Sequence, residues 1–356
     1  MKKKLLIGYN YILHYRIPLF NQLSKKYDVT VVHSGKKMNS KNDSYEEVIV
    51  PVYKIGPFHF QPGFLKEAND LKYDVIIALF DVAWITTLIS IFFHNKKCRF
   101  ILWGAWITKN KLANYARVLL SKKVDGNIFY TQQARQEFLD RGLKLDKLFV
   151  ANNTFDVGEQ RHSYKSKIKN KILFVGSLDE RKQNEVLIRA FNNITKHIPE
   201  NILLTFVGEG SQETVLKKLV LDLELSSRVN FVGKIANNAF LKDYYEEAIV
   251  SVSFGQAGLS VLQSLGYGVP FLTKWNAISG GEKNNIKHGL NGLFCDDKIK
   301  SLEDNLLKLC LDINFARELG ENAYNYYKEY CTMDNMAQGF LDAIENTRLS
   351  KIDDKR

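Results

Sequence analysis

The sequence predicts an α/β protein built from two doubly wound parallel sheets. Three observations carry this expectation. Short β-prone apolar runs alternate with longer segments of helical character, the pattern of parallel strands covered on both faces. In the second half three such runs end in glycine, at Gly176, Gly208 and Gly233, and ligands of such sheets gather at the carboxyl ends of the strands. The length, 356 residues, suggests two cores rather than one.

In the first half, strands are expected over residues 5–8, 29–33, 48–51, 75–80, 100–104, 126–130 and 148–153. Residues 9–15 read as an aromatic-rich loop containing His14. Arg16, Ile17 and Pro18 open a helix to about residue 26, with proline tolerated in its first turn. Further helices are expected from about 82, over 113–124 and over 132–141, the last ending at Gly142 as a C-cap. The apolar run 75–93 has the length of a membrane span. Asp81 within it and Thr86-Thr87 favour instead a buried strand followed by a core helix. Residues 35–47 read as a loop, and the polar, basic stretch 157–170 as an interdomain linker.

The second series has strands at 171–176, 202–208, 229–233, 249–254, 271–273 and 292–294. The expected domains are 1–160 and 161–334. A helical tail over 312–350 carries a cap candidate at Asp334-Asn335, and its last helix, about 335–356, packs back on the first domain.

Hydrophobic residues make up 45% and charged residues 25%, the balance of a globular chain. Four dispersed cysteines, Cys98, Cys295, Cys310 and Cys331, argue against zinc and disulfides and fit a reducing compartment. The start resembles a signal peptide, but its apolar run is short and no small-residue cleavage site follows. The expected location is the cytoplasm. The net charge is +11, with 24 Lys+Arg against 14 Asp+Glu in residues 1–160 and 26 against 25 beyond. A basic first half suits an anionic membrane surface, at the inner face of the cell membrane, or a phosphate-bearing acceptor; a plain lysine-rich surface is the alternative. No RNA-binding signature accompanies the charge, so no nucleic acid is expected.

The most informative stretch is Gly255-Gln256-Ala257-Gly258-Leu259-Ser260, between a β-prone run and an apolar helix that Gly268-Val269-Pro270 ends. Glycines let the backbone approach a ligand closely, and the first N–H groups of a helix lack helical partners. Such a turn is an anion site for phosphate or pyrophosphate, or else a plain strand-to-helix turn.

On these stretches the second half resembles the donor-binding domain of the family-four (group 1) retaining glycosyltransferases of the GT-B fold. The segments are ILFVGSLDERKQNEVLIRAF (172–191), LTFVGEG (204–210), RVNFVGKIANNAFLKDYYEEA (228–248), FGQAGLSVLQSLGYGVPFLT (254–273) and GGEKNNIKHGLNGLF (280–294), in the family's order. The first half resembles the group less specifically, through YRIPLFNQLSKKYDVTVV and ANNTFD.

The resemblance implies two Rossmann-like domains facing across a cleft and a UDP- or GDP-linked sugar as donor substrate, with no cofactor and no metal. It also implies a glycan or lipid-linked acceptor in the synthesis of capsule, O-antigen or exopolysaccharide. The family's arginine and lysine of the first donor loop fall at Ser177 and Lys182, with Arg181 as substitute cation. The two glutamates of its phosphate segment fall at Gly255 and Gln263, so both carboxylates are missing. Gln263 retains hydrogen-bonding capacity for a ribose. Gly176, Gly208, Gly233, Gly258, Leu259 and Ser260 line the donor, Lys234 and Ile235 frame the base, and Glu282 is a contact to donor sugar or ribose. His14, Arg16 and Trp103 are the acceptor-side candidates. Lys182 and Glu282 are the residues expected to act on the reaction. The missing glutamates leave a non-catalytic partner in polysaccharide assembly as the alternative, and a nucleotide-sugar epimerase as another.

Overall fold

A computed structural model describes residues 2–108, 110–158, 161–235 and 238–346. The chain divides into two compact units: residues to Asn153 with those from Met333, and Thr154–Thr332.

The first unit runs β1 (Lys4–Gly8), α1 (Ile17–Ser24), β2 (Asp28–His33), β3 (Glu46–Ile49), β4 (Tyr53–Ile55), β5 (Phe58–Phe60), α2 (Pro62–Ala68), β6 (Val75–Leu79), α3 (Ile85–Phe92), β7 (Arg99–Trp103), α4 (Lys111–Lys122), β8 (Gly126–Phe129), α5 (Gln132–Leu139) and β9 (Leu148–Val150). Seven strands form a parallel sheet in the order β3-β2-β1-β6-β7-β8-β9. β1 sits centrally, with Leu6 opposite Thr30 on one side and Ile76 on the other. Both faces of β1 are covered, so Leu5, Leu6 and Ile7 are all fully buried and no polar alternation is possible. One face packs under Leu19, Phe20 and Leu23 of α1; the other receives Phe64, Ile91, Val118 and Phe138 from α2 to α5.

The second unit runs β10 (Lys171–Val175), α6 (Asn184–Ile194), β11 (Leu203–Val207), α7 (Glu213–Asp222), β12 (Val229–Gly233), α8 (Asn238–Glu246), β13 (Ala248–Val252), α9 (Ser260–Gly266), β14 (Phe271–Lys274), β15 (Gly292–Cys295), α10 (Ile299–Leu311) and α11 (Ile313–Tyr330). Its parallel sheet is ordered β12-β11-β10-β13-β14-β15. Strand order therefore reverses between β10 and β13, the switch point at which doubly wound sheets open a crevice at their carboxyl ends. Leu187, Phe191, Leu302 and Leu306 cover one face; Tyr245, Val261, Leu265 and Tyr327 cover the other.

The last helix, α12 (Met333–Glu345), belongs to the first unit. Met336 and Phe340 join the core around Ile101, Trp103 and Ile128. Asp334 lies in its first turn rather than capping it from outside, and accepts a hydrogen bond from Gln22 at 2.8 Å. The part of the expected tail beyond residue 346 lies outside the described residues.

Several expectations are corrected. The hairpin β4–β5 and helix α2 were not legible, because three-residue strands around the Gly56-Pro57 turn are too short to show a period. The 157–170 stretch is no free linker: Ser163 and Tyr164 are buried, and Arg317 of α11 donates to the carbonyls of Tyr164 and Ser166 at 2.9 and 2.6 Å. The 75–93 run is indeed strand β6 followed by helix α3, which begins at Ile85. Among the described residues no helix is long and apolar enough to cross a membrane. All four cysteines are buried and unpaired with one another.

Candidate functional site

The site is built at the carboxyl ends of β10, β11 and β13. Main-chain hydrogen bonds tie the strand-end loops into one floor: Gly176 N–H donates to Val207 O (3.0 Å), Leu178 N–H to Glu209 O (3.0 Å) and Gly208 N–H to Gly233 O (2.8 Å). Glycine is required at Gly208, where φ is +150° and a Cβ would land on the carbonyl of Gly176.

After β10 the chain makes a polar loop and a single 3-10 turn, Glu180–Lys182, then passes through Gln183 at φ +55° into α6. This turn aims Lys182 inward. Its side chain is only 8% exposed, and Nζ donates to the carbonyl of Gln256 at 3.4 Å. Gly255 N–H in turn donates to Lys182 O at 3.0 Å, and a Cβ at Gly255 would strike the carbonyl of Arg181. The glycine thus permits the loop before α9 to lie directly against the Lys182 turn. Ser253 Oγ donates to Gln256 O (2.7 Å), Ala257 N–H to Ile278 O (2.9 Å) and Ile278 N–H to Gly255 O (3.0 Å), which fixes the loop from its other side.

Burial draws the Lys182 ammonium below the ordinary lysine pKa; Asp179 and Glu282 favour the charge and Arg181 opposes it. Glu282 thus lies within electrostatic range of Lys182. It is buried, follows Gly281 at φ +116°, and accepts from Ser279 Oγ at 3.1 Å. A desolvated cation, a buried carboxylate and a loop rich in main-chain amides make a site for an anion carrying hydroxyl groups.

The structure brings Lys182, Gly255, Gly176 and Glu282 to this neighbourhood and turns other candidates away from it. Ser177 and Arg181 both donate to the Asp179 carboxylate, at 2.7 and 2.9 Å, and Arg181 is largely exposed. Lys234 pairs with Glu209 at 2.9 Å on the surface, beside Ile235, which packs on the Tyr245 cluster. Gln263 is buried, and its Oε1 accepts from Tyr245 Oη at 3.3 Å. Leu259 precedes the first turn of α9, whose Ser260 Oγ is buried without a hydrogen-bond partner; the space around Gly258 is open.

Of the acceptor-side residues only His14 is exposed. Trp103 is fully buried, stacked on Tyr9 (5.2 Å) and edge-on to Phe340 (4.8 Å). Arg16, 3% exposed, donates to the hydroxyls of Tyr9 and Tyr130, both at 3.3 Å, and lies 5.1 Å over the Trp103 ring. This corrects the placement of both from surface to core, because α12 covers the sheet face on which Trp103 stands. Sequence reasoning missed the Gln256 carbonyl as the anchor of Lys182 and Ser279 as the partner of Glu282. A main-chain acceptor leaves no residue-type signal, whereas Ser279 three residues before an acid could have been noticed.

Residues 156–326 match the family of glycosyl transferases group 1. An uncharacterized glycosyltransferase of Methanocaldococcus jannaschii is 30% identical over 227 residues, 62% of this chain and 55% of that one. The GalNAc-alpha-(1->4)-GalNAc-alpha-(1->3)-diNAcBac-PP-undecaprenol alpha-1,4-N-acetyl-D-galactosaminyltransferase of Campylobacter jejuni is 31% identical over 166 residues, 45% of this chain and 44% of that one. The chain thus spans about half the length of these curated relatives. Among solved structures, HepE of Anabaena in complex with UDP superposes with a TM-score of 0.72 at 15% identity, over 96% of this chain and 99% of that one, which shows a shared GT-B fold. Two parallel α/β units, the lysine-bearing turn against a glycine loop in the second, and the match over that unit lead to one conclusion: the second unit, over residues 156–326, is similar to the glycosyl transferases group 1 family.

Proposed function

We propose that this protein is a retaining glycosyltransferase. It moves a sugar from a nucleotide diphosphate to a glycan or lipid-linked acceptor in bacterial surface-polysaccharide synthesis. The observation that carries the reading is the buried Lys182 ammonium, held at 3.4 Å from the Gln256 carbonyl beside the glycine loop that enters α9.

Transfer breaks the bond between the anomeric carbon and the β-phosphate oxygen and forms one to an acceptor hydroxyl. The hydroxyl proton passes to the departing phosphate, on the same face of the sugar. Negative charge grows on that phosphate as the bond breaks. An ammonium already stripped of water and fixed in place stabilises it without reorganising. The amides of residues 258–260 add donors, since a helix's first N–H groups have no helical acceptors. Glu282 is the residue placed to hold donor-sugar hydroxyls. Neither a cofactor nor a metal is part of this scheme. The UDP bound by HepE supports a uridine diphosphate donor, and the undecaprenol-linked acceptor in the name of the Campylobacter jejuni enzyme supports a lipid-linked acceptor. The protein acts in the cytoplasm, its basic first half against the inner face of the cell membrane.

Gly255 and Gln263, where the family carries glutamates, favour a second reading, a non-catalytic partner in an assembly complex. A panel of UDP- and GDP-sugars separates the two by thermal shift followed by product analysis. Stabilisation with transfer or hydrolysis supports the enzyme. Stabilisation without turnover supports the partner, and interconversion of the sugar an epimerase. No stabilisation by any nucleotide sugar overturns the donor site itself.

A further inference from the structure

Helix α4 is apolar on its outward side as well as its inner one. Its buried side carries Arg117, Val118 and Ser121, with Arg117 bonded to Thr108 Oγ1 and Asn114 Oδ1 at 3.2 and 3.1 Å. Its solvent side carries Leu112, Tyr115 and Leu119, exposed by 79%, 64% and 43%. The spacing of these three, i, i+3 and i+7, puts them in one stripe, where a surface helix of a globular protein normally has its polar residues. Lys111 and Lys122 bracket the stripe. A groove of about 420 Å³ runs beside it, floored by Tyr115, Val118 and Leu119 and rimmed by Lys111, Lys122 and Arg141.

The surrounding charge is equally one-sided. From residue 82 to residue 124 the chain has eight Lys and Arg and no Asp or Glu. That stretch also exposes Phe92 and Phe93 at the end of α3, just before Lys96 and Lys97, and Trp106 before α4. Apolar side chains projecting among cations, with no acid in the segment, match the two layers of a bilayer surface that carries anionic headgroups. A soluble protein partner would explain the apolar stripe but not the absence of every carboxylate.

We propose that the outward face of α4, with the α3 end beside it in sequence, docks on an anionic lipid membrane. Leu112, Tyr115 and Leu119 enter the headgroup–acyl boundary, and Lys111, Lys122 and Arg141 engage lipid phosphates. This rests on the reading above, which sets the basic first half against the membrane, and deepens it by naming the face that makes the contact.

The test is co-sedimentation of the full chain with vesicles of phosphatidylcholine alone or with about 30% phosphatidylglycerol, at low and high salt. Binding is expected only to the anionic vesicles, weakened by salt as screening requires. The double variant Leu112→Asp, Leu119→Asp and the pair Lys111→Glu, Lys122→Glu should each lower binding about tenfold or more. Leu221→Asp, an exposed position on α7, should not. Thermal stabilisation by UDP, measured on the same variants, should be unchanged; loss of it in the parent chain would count against the donor reading and not against this one. Equal binding to both vesicle types, no binding, or undiminished binding by the α4 variants would overturn the proposal. So would a dimer in solution that Leu119→Asp abolishes, which would assign the stripe to a second copy of the chain.

Discussion

Replacing Lys182 by methionine removes one charge from the donor site and keeps the aliphatic stem. A unit charge about 3 Å from another interacts by about 5.5 kcal/mol at an effective dielectric constant of about 20. If roughly half a charge develops on the leaving phosphate in the transition state, the ammonium contributes about 2.7 kcal/mol to the barrier, about a hundredfold in rate. Folding should barely change. The lost bond to Gln256 O is long, at 3.4 Å, and costs about 0.5–1 kcal/mol. Burial, which already pulls the Lys182 pKa down, offsets this, because methionine needs no hydration. The assay is initial-rate turnover of whichever nucleotide sugar stabilises the parent chain, with a melting curve on the same sample. Turnover should fall about a hundredfold and Tm move by less than about 3 °C. A rate loss below tenfold would refute the electrostatic role. A Tm drop of more than about 6 °C would recast Lys182 as a structural strut between the two loops.

Three further outcomes follow from the same unit. Gly208→Ala forces a methyl onto the Gly176 carbonyl at a positive φ and should cost about 3 kcal/mol in urea unfolding and abolish UDP binding. Asn184, 3% exposed at the start of α6, has no partner for either amide atom, so Asn184→Leu should stabilise the unit by about 1–2 kcal/mol, read as a raised urea midpoint. Lys169 donates to Ala248 O at 2.7 Å; burial, aided by Arg317 and opposed by Glu246, brings its pKa down to about 7. Between that value and the ordinary 10.5 the unfolded chain binds the extra proton, so stability should rise with pH across this window. Lys169→Met should flatten the rise in urea midpoint between pH 7 and pH 9.5.

Much of the second unit was legible because its elements declare themselves locally. Its first three strand runs end in glycine, at Gly176, Gly208 and Gly233, and Gly208 and Gly255 stand where backbone meets backbone. The position of Lys182 followed from the family's motif spacing, and the fold converts that spacing into a buried cation through the left-handed Gln183 that starts α6. What stayed illegible depends on contacts distant in sequence. Trp103 and Arg16 resemble surface recognition residues until α12, more than two hundred residues later, is seen covering them; Arg16 Nη1 even donates to the Met336 sulfur at 3.6 Å. Gln263 looked available for a ribose, but Tyr245, eighteen residues earlier, holds its oxygen.

That late cover by α12 has a bearing on how the chain is made. The sheet face carrying Ile101, Trp103 and Ile128 is sequenced before residue 130, yet Met336, Phe340 and Ile344 that close it come after the whole second unit. At an elongation rate of about 5–20 residues per second, the intervening 179 residues of Thr154–Thr332 take roughly 10–35 s to synthesise. For that interval the nascent first unit displays a partly uncovered aromatic face on the ribosome, a natural substrate for a chaperone that shields apolar surface, and the protein completes its first-made half only when its last helix emerges.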